Sequence, residues 1–541
     1  MPTPPDATST EVPPPQHPST FSPANLLLLS VLSVFGAIIG IELLVKLGVT
    51  PNTAIIGALV AMICARVPLR AFAQYRSIHV QNLAQSAISA ATFGAANSLL
   101  LPIGIPFLMG RADLVMPMFI GVSLAMLLDG YMLYRMFDTK IFPATGTWPQ
   151  GVAAAEAIKA GDVGGRQARV LGAGLGIGML GSWFGIPMSA FGTAFIGNIW
   201  ALTMLGLGFL LRGYSMPLFG FAVEKAYIPH GMMIGAGIVA LLQIVRMVWR
   251  DRPVRSAAGD ATAPRVTNTA STPSIRRSLR FGGVAYIGLA TLVAFGAGLY
   301  ADMSPGMLIL FIVYAAFAAF VHELIVGIAA MHSGWFPAFA VALITLLIGM
   351  LIGFPPAALV VLCGFSAATG PAFADMGYDL RAGFILRGHG SDPAFELAGR
   401  RQQLMAAMLA FVIAIPVVYF AHSSFFANGQ VPPVAVVYVS TIKAGVAPGV
   451  LHSLLLWAIA GAALQFVGGP KRQLGVLFST GLLIANPAAG WAVLIGIALR
   501  FVIERTTGER TRNTMEVFAA GIIAGDAIFS FGSSLIRSRT H

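Results

Sequence analysis

A chain of 541 residues, of which 57% are hydrophobic and only 10% charged, lies far from soluble domains, which are about 45–50% apolar and about 25% charged. Its mean hydropathy of +0.81 excludes a water-soluble enzyme or binding module and predicts a polytopic membrane protein. The net charge is +12, and the basic residues lie at the ends of apolar segments. This distribution is typical of the positive-inside bias of membrane proteins and not of a nucleic-acid-binding domain.

The first 23 residues are rich in Pro, Thr and Ser and contain no Lys or Arg, so they lack the basic start of a signal peptide. We expect residues 1–23 to form a disordered tail ahead of an uncleaved first span. Only Cys64 and Cys363 are present, which excludes a disulfide framework and a zinc cluster of the usual spacing. No metal or other cofactor is predicted.

Apolar segments long enough to cross a bilayer, about 20 residues each, recur along the rest of the chain. They predict an all-α polytopic membrane protein with about 14 to 16 transmembrane helices, some of them short, broken or re-entrant. The candidate spans are 24–48, 53–72, 79–105, 113–136, 166–186, 190–211, 228–249, 281–301, 306–330, 336–354, 356–374, 402–424, 445–467, 474–500 and 514–536.

A hydrophilic linker, residues 250–280, divides the membrane region into two halves, 24–249 and 281–537. The linker carries seven arginines against two acids, so we expect it in the cytoplasm of a cell membrane protein. The segment from Ser89 to Thr92, Ser-Ala-Ala-Thr, recurs from Ser366 to Thr369, and each half ends on a helix with regularly spaced glycines. These matches predict a duplication. The positive-inside bias predicts eight crossings per half, which gives parallel repeats and both termini inside.

A polar segment around residue 147 interrupts the apolar pattern of the first half. Thr147 followed by Gln150, with Pro149 between them, has the form of a capping box and predicts a helix from Trp148 to about residue 160. Its roughly 20 Å are too short to span comfortably. Two interpretations stay open: a half-helix that aims its N-terminus at an anionic group, or an interfacial helix with a solvated Glu156–Lys159 pair.

Four segments carry a resemblance to a known family. "TGTWPQGVAAAEAIKAGDVGG" resembles the signature of the oligopeptide transporter (OPT) family, especially its prokaryotic branch related to the yellow-stripe-like transporters of metal chelates. "ADMGYDLRAGFILRG", followed by Arg401, Gln402 and Gln403, resembles the family's Asp-Leu-Lys-x-Gly segment and its Gln pair. "GLLIANPAAGWAVLIGIALRFVIER" and "GIIAGDAIFS" resemble its last spans.

The resemblance implies a secondary transporter of small oligopeptides or related metal chelates, in the lipid bilayer and with protons as the coupling ion. Trp148, Gln150 and Arg381 depart from the family pattern, where we expect Phe, an acid and Lys. An interrupted helix around Gly370 and the helix that begins near Thr147 then hold the substrate. The candidate substrate-binding residues are Thr147, Trp148, Gln150, Gly151, Glu156, Lys159, Asp375, Asp379 and Arg381.

Ionisable residues inside apolar spans are candidates for proton coupling, because each costs roughly 2.5–3.5 kcal/mol on insertion scales. His322 and Glu323 are the preferred relay, although they also fit a single buried hydrogen-bonded pair. Asp129 fits a structural pair with Arg135 as well as a relay, and Asp526 fits helix packing as well as proton transfer.

Two classes of function remain at this point. The first is the secondary transporter, since no G-x-x-x-x-G-K-[ST] motif is present to bind ATP. The second is an intramembrane enzyme that uses His322 and Glu323 on a lipid-linked substrate. His322 is not followed by a second His at the zinc-protease spacing, and no nucleophile-and-base motif is apparent, so we expect a transporter and no enzyme activity.

Overall fold

A computed structural model describes residues 16–47, 74–163, 165–250, 272–334, 338–445, 449–484, 486–507 and 512–539. Within these ranges the protein is helical, and its one β-type pairing is an isolated bridge between Phe137 and Phe142. The predicted all-α membrane fold is confirmed.

Ten helices precede the Arg-rich linker in the described part of the chain. The helix α2 continues through a π-helical segment, Gly94–Leu100, into α3. The bounds are α1 (Pro23–Leu47), α2 (Ile78–Phe93), α3 (Leu101–Leu108), α4 (Val115–Met136), α5 (Pro149–Val163), α6 (Gly165–Trp183), α7 (Met188–Thr193), α8 (Ile199–Gly213), α9 (Ser215–Phe219) and α10 (Ile228–Arg250).

Eleven described helices follow the linker. The first of them begins inside the predicted linker, so Arg276, Arg277 and Arg280 lie on a helix, while residues 251–271 fall outside the described ranges. The bounds are α11 (Thr272–Gly296), α12 (Pro305–Ser333), α13 (Ala338–Ile352), α14 (Pro356–Ala368), α15 (Pro371–Leu386), α16 (Pro393–Ala427), α17 (Pro433–Ala444), α18 (Val450–Arg472), α19 (Leu474–Leu483), α20 (Pro487–Thr507) and α21 (Arg512–Arg539).

Nine helical stretches of the described chain are long and apolar enough to cross a membrane, and five shorter apolar helices accompany them. The predicted span 53–72 lies outside the described residues. Proline and glycine divide other predicted spans: 474–500 becomes α19 and α20, and 356–374 is broken before Pro371. The helix α17 was not predicted, because its Pro432-Pro433 start resembles a loop, although a proline is well tolerated in the first turn of a helix.

The most deeply buried spans lie at the centre of the molecule. The most apolar windows of Ile78–Leu108 and Pro356–Leu386 are 94% and 100% buried, whereas that of Ser274–Gly296 is 28% buried. Burial inside the protein separates these two central stretches from the hydrocarbon, so polar side chains on them meet protein rather than lipid.

Glycines allow very close approach at two helix crossings. A Cβ atom at Gly178 of α6 would overlap the carbonyl oxygen of Ile522 on α21, and one at Gly235 of α10 would overlap that of Ala458 on α18. Small residues are the usual means by which membrane helices pack without a hydrophobic driving force. The last helix before the linker and the last helix of the chain are therefore each fixed to a helix on the other side of the linker.

We predict that Gly235→Ala destabilises the protein by about 1–3 kcal/mol, because the added methyl group forces α10 and α18 apart. Thermal unfolding in detergent measures the effect. Gly288→Ala is the matched control, since a Cβ at Gly288 of α11 has no heavy atom within 4 Å. Equal unfolding midpoints for the two variants would contradict the prediction.

Candidate functional site

The centre of the site is a helix break between α14 and α15. Thr369 is extended and Gly370 has φ of 96°, a conformation that favours glycine, so α15 begins anew at Pro371. The N–H of Gly370 donates to Asp129 Oδ2 at 2.5 Å. The predicted interruption around Gly370 is confirmed. The Asp129 carboxyl group of α4 lies at the N-terminus of α15, where negative charge is favoured.

A tyrosine joins two of the predicted proton-coupling residues. The Tyr286 hydroxyl of α11 lies 2.5 Å from Asp129 Oδ1 and 2.7 Å from Glu323 Oε2. All three side chains are fully buried. A phenol has one proton to donate, so it cannot satisfy both carboxylates, and the second contact requires a proton on one of the carboxyl groups. The cluster therefore holds at least one proton in addition to that of the phenol.

His322 lies beside this cluster but bonds elsewhere. Its Nδ1 lies 2.5 Å from the Ser366 carbonyl oxygen, which can only accept, so Nδ1 carries the proton. Its Nε2 is buried without a hydrogen-bond partner. His322 and Glu323 are neighbours in the sequence, but their side chains do not form a hydrogen-bonded pair, because neighbouring residues on a helix point in different directions.

Further along α15, two carboxyl groups face the central helix α2. Ser89 Oγ donates to Asp375 Oδ1 at 2.5 Å, and Gln85 Nε2 donates to Asp379 Oδ1. The bonded residues of the two helices, Gln85 and Ser89 on α2 and Asp379 and Asp375 on α15, have the same four-residue spacing. Ser89 belongs to the first Ser-Ala-Ala-Thr segment, and Ser366, which accepts from His322, belongs to the second.

The helix α5 starts close to its predicted position, but Thr147 does not cap it. The Thr147 hydroxyl donates to the Met331 carbonyl oxygen, and the Trp148 N–H donates to the same oxygen at 2.8 Å. Trp148, with φ of 37°, accepts the first helical hydrogen bond from Val152. Its ring is fully buried and packs edge-on against Tyr378, so the N-terminus of α5 is attached to α12 and α15.

The remaining candidate residues of α5 and α15 lie where these helices cross. A Cβ at Gly151 would overlap the Tyr378 carbonyl oxygen, which shows how closely the backbones approach. Arg381 Nη1 donates to the Ala144 carbonyl oxygen at 2.5 Å. Lys159 Nζ pairs with Glu156 Oε1 at 3.0 Å, as predicted, and Gln150 is buried.

A buried ion-pair network closes the C-terminal end of α15. Glu396 accepts from Arg387 Nε at 2.8 Å and from Arg400 Nε at 2.7 Å. Arg400 also pairs with Asp138 at 3.2 Å, and Arg387 Nη1 donates to Gln403 Oε1 at 2.7 Å. This network connects the end of α15 with the start of α16 and the end of α4.

Residues 1–23 were predicted to be a disordered tail, but the N-terminal segment 16–22 packs over this network, and residues 1–15 lie outside the described ranges. Thr20 donates through its N–H to Gln402 Oε1 and through its hydroxyl to the Gln402 carbonyl oxygen, both at 2.8 Å. The His17 ring packs against His79 and Phe395. Burial lowers the pKa of His17 from 6.5 to about 4, and the nearby positive charges of Arg387 and His79 act in the same direction.

Asp526 lies apart from the central cluster. It accepts from Ser182 Oγ at 2.5 Å and from the Ser189 N–H at 2.7 Å, so both of its carboxylate oxygens are bonded where α21 meets α6 and α7. The structure thus brings Asp129 and Glu323 together and leaves Asp526 at a separate helix contact.

Sequence reasoning missed several residues of the site. Tyr286 gave no signal, because one Tyr in an apolar span is common at membrane interfaces. Gln85, Ser86 and Gln403 are uncharged and were not singled out. Arg387, Glu396 and Arg400 could have been found as charges that flank the apolar part of α16, but their mutual contacts depend on the turn between α15 and α16.

An all-helical membrane domain with a broken central helix and buried carboxyl groups at the break has the construction of a secondary membrane transporter. The family model described as OPT oligopeptide transporter protein matches residues 25–221 and 190–537. The chain therefore belongs to the OPT oligopeptide transporter family and is a membrane-embedded, multi-pass transporter. No curated protein matches the chain.

We predict that Glu396→Gln destabilises the protein by about 3–5 kcal/mol, because an amide leaves the buried charge of Arg387 without its counter-charge and removes one of the two acids that pair with Arg400. The midpoint of thermal unfolding measures the loss. Asp113→Asn is the control, since its pair with Arg111 is exposed and such pairs contribute about 0–1 kcal/mol. A loss no larger than that of the control would contradict the prediction.

We predict that docking of residues 16–22 weakens as pH falls from about 6.5 towards 4. The neutral form of His17 is favoured when docked, so the undocked segment binds more protons in that range, and docking is strongest above it. Hydrogen exchange of the Thr20 amide, corrected for the intrinsic rate, reports the change. His17→Phe should dock with much weaker pH dependence; an unchanged dependence would assign the effect to His79 or Glu396.

Proposed function

We propose that the protein is a proton-coupled transporter of small oligopeptides, with metal chelates of peptide-like ligands as the second class of cargo. The observation that carries proton coupling is the Tyr286 hydroxyl between Asp129 and Glu323, which requires a stored proton in the membrane interior. The OPT family membership supports the cargo class. No observation favours the intramembrane enzyme based on His322 and Glu323.

The surroundings of the two acids suggest where that proton resides. Asp129 accepts from both the Gly370 N–H and the Tyr286 hydroxyl, which stabilises its ionised form. Glu323 Oε1 has no hydrogen-bond partner, so the neutral form of Glu323 is favoured in this buried place. In one relay step, Glu323 donates its proton to Tyr286 Oη while Tyr286 donates its own proton to Asp129. The charge moves from Asp129 to Glu323, and the phenol is unchanged.

We infer that the proton relay and the movement of α15 are coupled through Gly370. Protonation of Asp129 removes the negative charge at the N-terminus of α15 and weakens its bond to the Gly370 N–H. The break between α14 and α15 is the flexible point at which α15 can then move relative to α14. We infer that substrate binds where α5 crosses α15, at Trp148, Gly151, Glu156, Lys159 and Arg381, with Thr147, Gln150, Asp375 and Asp379 nearby.

Two repeated contacts support the proposed duplication. Thr92 at the end of the first Ser-Ala-Ala-Thr segment donates to the Gly36 carbonyl oxygen of α1 at 3.1 Å. Thr369 at the end of the second donates to the Ala319 carbonyl oxygen of α12 at 3.3 Å. In both places the threonine joins a central helix to an earlier long helix. We infer that the halves 24–249 and 281–537 alternate access to the site between them.

Polar contacts also support the proposed cytoplasmic side. Arg135 at the end of α4 donates to Ser278 at 3.3 Å, and Ser278 belongs to the part of the predicted Arg-rich linker that lies on α11. Asp138, three residues later, pairs with Arg400 of the ion-pair network. The start of α11, the network and the N-terminal segment then share one face of the membrane, which the positive-inside rule assigns to the cytoplasm.

Uptake by proteoliposomes under an inward proton gradient tests this function, with labelled di- to pentapeptides and a metal chelate as parallel substrates. We predict that Tyr286→Phe lowers gradient-driven uptake at least about tenfold, since it removes the only hydroxyl between the two acids. Counterflow of the same peptide without a gradient should persist in this variant.

Tyr419→Phe on the exposed face of α16 is the matched control for this experiment and should keep wild-type uptake. Gradient-driven uptake by Tyr286→Phe at the rate of that control would contradict the relay. A wild-type protein that moves neither peptide nor chelate would contradict the cargo.

A further inference from the structure

One face of α15 carries three buried oxygen atoms that have no hydrogen-bond partner. They are Asp375 Oδ2, Tyr378 Oη and Asp379 Oδ2, and the three residues are at most 2% exposed. Positions three and four apart lie on the same face of a helix. A buried polar atom without a partner costs about 1–3 kcal/mol, and more for a charged group, so three such atoms side by side require an explanation.

The charges of this face are not balanced by basic side chains. Within the described ranges, the carboxyl groups of Asp375 and Asp379 bond to neutral groups of α2, namely Ser89, Gln85 and the Ser86 hydroxyl. Arg381 bonds to the Ala144 carbonyl oxygen, and Arg387 bonds to Glu396 and Gln403. The Asp375 carboxyl lies within electrostatic reach of both Tyr378 and Asp379. Two carboxylates this close cannot both stay ionised in a dry interior without a cation.

Three kinds of cation can neutralise the face, and the geometry separates them. A proton on either Oδ2 would turn an acceptor without a partner into a donor without a partner, since no hydrogen bond joins the two carboxyl groups. The ammonium group of a peptide needs space for its chain, but the three oxygen atoms lie on residues that are at most 2% exposed, so this face is closed to a peptide. A metal ion without its hydration shell needs neither a further hydrogen-bond partner nor space for a peptide chain.

We propose that this face binds one dehydrated alkali-metal ion, with Na⁺ preferred, through Asp375 Oδ2, Asp379 Oδ2 and Tyr378 Oη. Hard cations of this kind take oxygen ligands. The Ser86 hydroxyl lies beside Asp379 and supplies a fourth oxygen. Gln85 and Ser89 hold the other carboxylate oxygens through Oδ1, so the Oδ2 atoms are oriented before the ion arrives.

The site is separate from the proton relay. The relay uses Asp129, Tyr286 and Glu323 around Gly370, and Asp375 lies five residues further along α15. A transporter with both sites would couple its conformations to two different ions through one helix. Binding of the metal ion is an equilibrium property of the folded protein and does not require that peptide is the cargo.

Direct binding of ²²Na⁺ to the purified protein in detergent, without peptide, tests the proposal. The ionic strength is held constant with choline chloride, and K⁺ is added as a competitor. We expect saturable binding of one ion per chain, weaker competition by K⁺ than by unlabelled Na⁺, and a thermal-unfolding midpoint that rises with Na⁺ concentration, as for any ligand of the native state.

The variants Asp375→Asn and Asp379→Asn should each weaken Na⁺ binding at least about tenfold, and Tyr378→Phe by several-fold, since each removes one oxygen ligand. Asp113→Asn makes the same change at an exposed acid outside the site and should keep wild-type Na⁺ affinity. Wild-type protein without saturable ²²Na⁺ binding would overturn the proposal whatever the variants do, and so would equal affinities of Tyr378→Phe and wild type. Neither the binding of Na⁺ nor the unfolding midpoint depends on peptide uptake, so these measurements can support the Na⁺ site even if peptide is not the cargo.

Discussion

The hydrogen bond from the Gly370 N–H to Asp129 is the interaction on which the rest of the site depends. A bilayer interior offers no water to a broken helix, so every freed backbone group at the break needs a partner within the protein. Asp129 supplies that partner from α4, and its second oxygen then recruits Tyr286 and Glu323 from two further helices. Four separate helices thus meet at one interrupted point, and the chemistry of the interruption follows from satisfying its backbone.

From this point polar groups continue along α15 to its end. Asp375, Asp379 and the Gln403–Arg387 contact follow the break in this order, over 17 residues or roughly 25 Å at 1.5 Å per residue. The length approaches the thickness of the hydrocarbon core of a bilayer, about 30 Å. This fully buried helix therefore carries a line of polar groups, and the ion-pair network and the N-terminal segment cover one end of it.

Much of this arrangement could be predicted from the sequence, and the contacts that could not be predicted depend on long-range packing. Hydropathy predicted most spans, and Gly370-Pro371 predicted the break, because these signals are local. Asp129 and Glu323 were found because acids in apolar spans are rare. Their partner Tyr286 was missed, since which helix lies beside α4 is decided by long-range packing. The prediction of a capping box at Thr147 was wrong for a similar reason, because the Thr147 hydroxyl donates to the Met331 carbonyl oxygen of α12.

The two glycine crossings have a consequence for the order in which the protein assembles. The α6 helix finds its partner α21 only after roughly 350 further residues have been made, which takes roughly 20 to 70 s at about 5–20 residues per second. During that time the glycine face of α6, which later meets Ile522, has only lipid or a temporary neighbour against it. A helix made this late therefore completes the first half, and a membrane chaperone or insertase that shields α6 in the interval would act before any substrate is moved.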